Sequence, residues 1–315
     1  MSGSEGRFPK SLIEFQGRFA SENACAEYLF ERRWPEGFVC PGCGDGRAWL
    51  LRTKAFTYEC AACGRQTSVT AGTIMHASKL PLTTWFWAAF LMATHSNGIS
   101  ALQLQSQLGL GSYRTAWMLC AKLRRAMVNP ERAPLCGLVE ADETIIPFRT
   151  KDDPIPAFAR TVPAGRSGVG KMLVAGAVEV DGGKPRRARL RVIESFGKDA
   201  IHAFVLDVVA PKTTLVTDDW PSYQSVPGIE HKAITVGPMA AHIVLPWTHR
   251  LFANLKRWGL GVYHGLRRTN LQHYLDEFVF RFNRRRTRHA AFATLLGIGA
   301  RTAPAPYHVL IRKAA

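Results

Sequence analysis

A mixed α/β domain, preceded by a cysteine-rich ribbon and a helical segment, is the architecture the sequence predicts. Three observations carry it. Two C-x-x-C pairs, Cys40/Cys43 and Cys60/Cys63, stand sixteen residues apart. A glycine turn interrupts helical periodicity between residues 97 and 127. From residue 135 the texture changes to strand-like runs with acids among them. The expected divisions are 1–75 for N-terminal helices and ribbon, 76–130 for the helical segment, 131–290 for the α/β domain and 291–315 for a C-terminal tail.

With 315 residues, 47% hydrophobic and 21% charged, the chain can bury a sizeable core, and disorder is not expected. No run reaches the roughly eighteen consecutive apolar residues of a membrane span, and the start, MSGSEGRFPKSLIEF, lacks an apolar signal segment. A cytoplasmic, nucleoid-associated location is therefore expected, with no membrane partner. The formal charge is +17, unevenly distributed. Residues 246–315 carry 13 Lys and Arg against 2 acids, whereas residues 135–245 carry 13 of each. A neutral middle between basic flanks fits a domain that gathers carboxylates for metal ions while its surroundings attract a polyanion by counterion release. Arg257, Arg284 and Arg285 are candidate phosphate contacts on the C-terminal side. Charge alone leaves open a general nucleic-acid binder, such as a ribosomal protein.

Residues 8–34 place Leu12, Phe15, Phe19, Ala24, Tyr28 and Leu29 at helical spacing, which predicts two helices broken near Ser21 and packed on the ribbon. The doubled C-x-x-C is the spacing of a zinc knuckle pair, because tetrahedral zinc takes four thiolates and each turn presents two. Gly44 and Gly64 follow the pairs and suit tight turns. Four protein ligands leave no open position, so this Zn2+ would be structural. The ribbon is expected over roughly 36–70, with Arg47, Arg52, Lys54 and Arg65 available to phosphates. Two disulfides or a redox pair are the alternatives. Cys25, Cys120 and Cys136 fit no ligand pattern and are expected to be small buried side chains.

The run PLTTWFWAAFLMATH (81–95) predicts an apolar helix with Thr83 or Thr84 as cap. Ser100 can cap a short helix that Gly109 to Gly111 end, and a second helix opens near Ser112 and finishes in Lys122, Arg124 and Arg125. Helix, glycine turn and basic helix is the layout of a helix-turn-helix. In that reading Ser112, Tyr113, Arg114 and Thr115 lead the DNA-recognition helix.

Beyond 135 the strand-like runs are LCGLVEADETIIPF, KMLVAGAVEV and RARLRVIES, with the hairpin signal VDGGKP between the last two. The helix DAIHAFVLDVVA follows, then TTLVTDDW as a buried strand ending in acids, then HKAITV. Three antiparallel strands, a helix and a further strand is the order of the RNase H-like, retroviral-integrase-type α/β fold. The stretch 149–170, rich in Pro, Gly and charge, reads as a mobile loop able to contact DNA. The Ala- and Pro-rich tail predicts a short packed helix that then frays.

In such a sheet Asp142 and Asp218 lie on adjacent strands, close enough to share divalent cations. Carboxylates are what Mg2+ requires, and two ions activate the attacking oxygen and stabilise the leaving one in phosphodiester chemistry. Strand alternation puts Glu140 and Asp142 on one face and Glu143 on the other. His249 and Lys256 are seven residues apart, two helical turns, and so face the same way. A neutral imidazole can ligate metal where a third carboxylate would otherwise sit, and a lysine two turns on can contact a phosphate.

The run from Leu245 to Arg285, LPWTHRLFANLKRWGLGVYHGLRRTNLQHYLDEFVFRFNRR, closely resembles insertion-sequence transposases of the DDE/RNase H-like superfamily, in the branch with an N-terminal zinc ribbon. In that branch the resemblance implies a third metal position of Glu, Asn or His followed seven residues on by Lys, so that Asp142, Asp218, His249 and Lys256 form a D-D-H-K set. DETIIPF matches the first catalytic strand and TDDW the family's T-D-G-W, with Asp218 as the aligned acid. The chain departs from the pattern at Ile145-Ile146-Pro147, where a Gly and an aromatic are usual, and at Asp219, which replaces a glycine.

The resemblance implies an enzyme that binds the terminal inverted repeats of its element on double-stranded DNA. It would use two Mg2+ or Mn2+ ions to hydrolyse 3′ ends and direct the freed 3′-OH at target DNA, self-associating in a synaptic complex. No covalent intermediate is implied. The alternatives are a zinc-ribbon DNA-binding regulator with an inactive domain and a nuclease that cuts without joining.

Overall fold

The computed structural model describes residues 9–147, 171–235, 241–264 and 266–311; the loop expected over 149–170 lies outside them. The described residues of Met1–Asn129 and Arg284–Arg312 form one compact unit, and those of Pro130–Asn283 a second. Among the described residues no helix is long and apolar enough to cross a membrane.

The first unit begins with α1 (Leu12–Arg18) and α2 (Glu22–Arg33), separated as the sequence predicts at Ser21, whose hydroxyl caps α2 by accepting the Ala24 amide. Three antiparallel strands follow, β1 (Ala48–Leu50), β2 (Thr57–Cys60) and β3 (Gln66–Ser68). Phe30 of α2 packs on Tyr58 of β2 at 4.8 Å between ring centres, and Arg33 donates to the Ser68 and Val69 carbonyls. Helix α2 meets the ribbon in this way; α1 turns its Phe15 to Phe90 of α3 (Leu82–Thr94) and to Phe292 of α10 (Arg288–Gly299). The cap expected at Thr83 or Thr84 is not used. Helix α3 opens after Pro81 without a side-chain cap of its own, and the Glu22 carboxylate accepts the Leu82 and Thr83 amides at 2.7 and 2.8 Å.

Helices α4 (Ala101–Leu108) and α5 (Tyr113–Arg125) carry the caps that were expected, Ser100 and Ser112, and Gly109 ends α4 in the left-handed region at φ 60°. The basic end of α5 turns inward rather than outward: Arg124 is buried and Lys122 lies half-buried over the Trp85 ring. Helix α11 (Tyr307–Ile311) packs through Leu310 on Ala121 of α5.

The second unit is a five-stranded sheet in the order β6-β5-β4-β7-β8, formed by β4 (Leu138–Pro147), β5 (Lys171–Asp181), β6 (Lys184–Ile193), β7 (Thr214–Asp218) and β8 (Glu230–Ile234). Strands β4, β5 and β6 run antiparallel, while β7 is parallel to β4 and β8 to β7. The β5–β6 hairpin turns on Gly182 and Gly183, both at positive φ, as VDGGKP predicts. Alternation along β4 divides two cores. Val139 and Ala141 join α6 (Lys198–Val208), whose Ile201, Phe204, Val205 and Val208 recur at helical spacing. On the other face, beyond the one-turn α7 (Ala241–Val244), Ile146 joins α8 (Pro246–Tyr263) and α9 (Leu271–Asn283).

Strand β6 is an edge, and α9 closes it with two side-chain amides. Gln272 accepts the Val192 amide at 2.9 Å and donates to the Leu190 carbonyl. Asn283 accepts the Ala188 amide at 2.7 Å and donates to the Ala188 carbonyl. An open row of backbone groups, a template for unwanted strand pairing, is thereby blunted.

Candidate active site

The ribbon brings its four cysteines together. Cys40, Cys43, Cys60 and Cys63 place their sulfurs within 4.8 Å of one another, with Cys40 to Cys63 at 3.6 Å and Cys43 to Cys60 at 3.5 Å. A zinc tetrahedron with bonds of about 2.3 Å has edges of about 3.8 Å, so this donor set fits the ion. Gly44 and Gly64 take positive φ as expected. The Gly42 amide, 3.4 Å from the Cys40 sulfur, and that of Cys43 hold the Cys40 thiol down at about 6, favouring the ligating thiolate. The remaining cysteines divide: Cys25 and Cys120 are buried as predicted, whereas Cys136 is exposed, its thiol 3.8 Å from the Glu179 carboxylate.

The candidate phosphate contacts meet different surroundings. Arg47, Arg52, Lys54 and Arg65 are all exposed on the ribbon, although Arg47 is ion-paired to Asp45 at 3.1 Å and Lys54 donates to Gln66. Ser112 is spent on capping α5, accepting the Thr115 amide. Tyr113 is exposed, and Arg114 stacks on the Tyr307 ring at 4.2 Å. Arg257 is exposed, but Arg284 and Arg285 are half-buried, and that burial lowers the pKa of both.

The acids and histidine of the second unit converge on its central strands. Parallel pairing sets Glu140 opposite Val216; Asp142 lies two residues beyond Glu140 on β4, and Asp218 two residues beyond Val216 at the end of β7. The Asp142 Oδ1 accepts the Glu143 amide at 2.8 Å, and Asp218 Oδ1 the Trp220 amide at 3.3 Å. From the first turns of α8, His249 Nε2 approaches Asp142 Oδ2 to 3.5 Å. Lys256 lies exposed two turns further along the same helix. Asp219 is exposed, and its carboxylate accepts from Thr235. Glu143 lies on the opposite face, where its charge, after burial itself, raises the pKa of the fully buried Tyr223 hydroxyl.

Glu140 is the residue whose role sequence reasoning missed. It is buried, and one oxygen accepts the Trp247 and Thr248 amides at 2.8 and 3.1 Å, the second and third residues of α8. Burial raises its pKa, and the two amides oppose that rise. A signal was present: α8 opens with Pro246 after Leu245, which cannot cap, so an acceptor had to come from elsewhere.

Residues 134–283 match the ISXO2-like transposase domain, and residues 20–66 the transposase zinc-ribbon domain. The two matches are thus to a transposase domain and to a zinc ribbon ahead of it. Over these two regions the chain is similar to the insertion-sequence transposases with an N-terminal zinc ribbon. An uncharacterized protein in transposable element ISH50 of Halobacterium salinarum (strain ATCC 700922 / JCM 11081 / NRC-1) is 30% identical over 129 residues, 40% of this chain, and the chain spans 42% of that relative. The simian T-cell lymphotropic virus intasome in complex with PP2A regulatory subunit B56 gamma aligns at 13% identity and a TM-score of 0.29, over 56% of this chain and 67% of that one.

Proposed function

We propose that the protein is an RNase H-like DNA transposase that binds the terminal inverted repeats of an insertion sequence, cleaves their 3′ ends and joins them to target DNA. The observation that carries this reading is the approach of His249 to Asp142, at 3.5 Å, on a strand whose parallel neighbour β7 ends in Asp218. The strand order β6-β5-β4-β7-β8, with the first of these acids on the central strand, supports the RNase H-like assignment.

The donor set suits hard divalent cations. Two ligands of one ion, each about 2.1 Å from it, lie about 3 to 4 Å apart, as His249 and Asp142 do. Asp142 and Asp218, offering oxygens, and His249, offering a nitrogen, would hold two Mg2+ or Mn2+ ions. Bound there, these would activate the attacking oxygen and stabilise the leaving one. Lys256 would contact a phosphate near the scissile bond. Hydrolysis by water and then attack by the 3′-OH require no side-chain nucleophile. The ribbon cations, Tyr113, Arg114 and Arg257 would contribute DNA contacts, and joining two ends requires self-association in one synapse. With an imidazole among the ligands, Mn2+ should support activity at least as well as Mg2+.

The test is incubation of purified protein with labelled element ends and either ion. Cleavage at the 3′ end followed by joining to a plasmid is the expected result. Binding without cleavage would instead identify a zinc-ribbon regulator, and cleavage without joining a nuclease.

A further inference from the structure

We infer that Glu140 is a positioning residue that latches the N-terminus of α8 to the central strand and so holds His249 against Asp142. The inference rests on the reading of Asp142 and His249 as metal ligands. Its geometry stands on its own. The first amides of a helix have no partner within the helix, and at the start of α8 they fall in a buried place: Thr248 is fully buried and Trp247 half-buried. No side chain at Leu245 serves them. Glu140, 107 residues earlier in the chain, accepts two of them through a single oxygen.

The spacing converts that cap into alignment. Glu140 and Asp142 are two residues apart on one face of β4, about 7 Å along the strand. Thr248 and His249 are consecutive on α8. Pinning the Trp247 and Thr248 amides to Glu140 therefore leaves His249 one residue further along the helix and Asp142 one pleat further along the strand, which is where they meet. The positive end of the helix dipole favours an ionised acceptor at this point. Glutamate is long enough to reach from the strand to the helix, and an amide oxygen in its place could accept the same bonds.

The experiment compares the parent chain with Glu140→Gln and Glu140→Ala by hydrogen exchange of the segment 246–252 and by Mn2+ binding followed by electron paramagnetic resonance. Glu140→Ala should speed exchange in that segment by about tenfold or more while β5 stays protected, and should weaken Mn2+ binding by a similar factor. Glu140→Gln should keep the segment protected and hold Mn2+ affinity within about threefold. Unchanged protection in Glu140→Ala overturns the latch. Loss of Mn2+ binding in Glu140→Gln with the segment still protected overturns it too, by making the carboxylate itself a ligand. Should Glu140→Ala unfold, Glu140→Gln decides alone, by the same two readouts. Asp142→Asn with undiminished Mn2+ binding would overturn the site reading instead, leaving the exchange result to judge the latch.

Discussion

Gly176 stands directly across the β4–β5 pair from Asp142, and a Cβ at that position would lie 2.6 Å from Cε1 of Phe252. Phe252 follows His249 by one turn of α8, so the ring that rests on Gly176 fixes how closely the helix approaches the sheet at the height of Asp142. The need here is for space. Gly176→Ala should cost about 1–3 kcal/mol by overpacking and displace the first turns of α8, lowering both Tm and DNA cleavage. Phe252→Leu in the same chain should recover part of both losses. Additive losses in the double variant, measured by thermal unfolding, would show that the two residues do not share this contact.

The two neighbouring acids of TDDW are placed differently. Asp218 ends β7, the parallel neighbour of β4, and is half-buried, whereas Asp219 is exposed and meets Thr235. Asp218→Ala should therefore reduce strand transfer by on the order of a thousandfold, the scale of losing several kcal/mol of charge stabilisation at a metal site. Asp219→Gly should leave it intact. End-cleavage assays in Mg2+ and in Mn2+ check both, and a reversed order would move the ligand assignment by one residue.

Zinc removal should act on the ribbon by itself. The four thiolates form its crosslink, and strands of three or four residues bury little apolar surface on their own. Cys60→Ser or a strong chelator is expected to release one zinc per chain and expose β1–β3 to exchange, with the five-stranded sheet of the other unit still protected. A ribbon that keeps its protection after losing the metal would contradict a structural zinc.

What was legible in the sequence follows from the range of the interactions involved. Ser21, Ser100 and Ser112 each accept the amide three residues ahead, so each announced its own helix start. The Gly182-Gly183 turn and the alternation along β4 were likewise local signals. The caps of α3 and α8 come from Glu22 and Glu140, 60 and 107 residues away, and a local pattern search for Ser, Thr, Asp or Asn could not find them. Net charge also failed to say which way a cation points. Lys122 and Arg124 read as the basic end of a helix and Arg284 and Arg285 as phosphate contacts, yet all are half-buried or buried, because long aliphatic stems pack as readily as they solvate. Asp142, Asp218 and His249 could be singled out by pattern, whereas the spacing between them depends on register and helix docking.

The two amides that close β6 make separate demands on α9. Asn283→Leu would leave the Ala188 amide without its acceptor and its carbonyl with Arg189 as donor, at a cost of about 1–3 kcal/mol, and would reopen that part of the edge. Both a lower Tm and greater self-association in light scattering are expected. Asn283→Gln, with an extra methylene, should restore solubility only if the backbone can shift to meet it.

Asp276, one turn beyond Gln272 on α9, links this edge to pH. Burial pushes its carboxyl up to about 6, against the pull of its 3.0 Å hydrogen bond from Gln272 and of Arg132. In the unfolded chain the same group titrates near 3.9, so between the two values the folded state holds a proton that the unfolded state has released. The stability this proton contributes is fully present below about 4 and is lost as pH rises through 6. Asp276→Asn cannot ionise and should be more stable than the parent at pH 7.5, by on the order of 1–2 kcal/mol or a few degrees in Tm. The two proteins should converge as pH falls to 4 and below, where the parent carboxyl becomes protonated in both states. Thermal unfolding across pH 4 to 8 measures the difference, and a gap that widens toward low pH would mean that the Arg132 attraction outweighs the burial of the carboxylate.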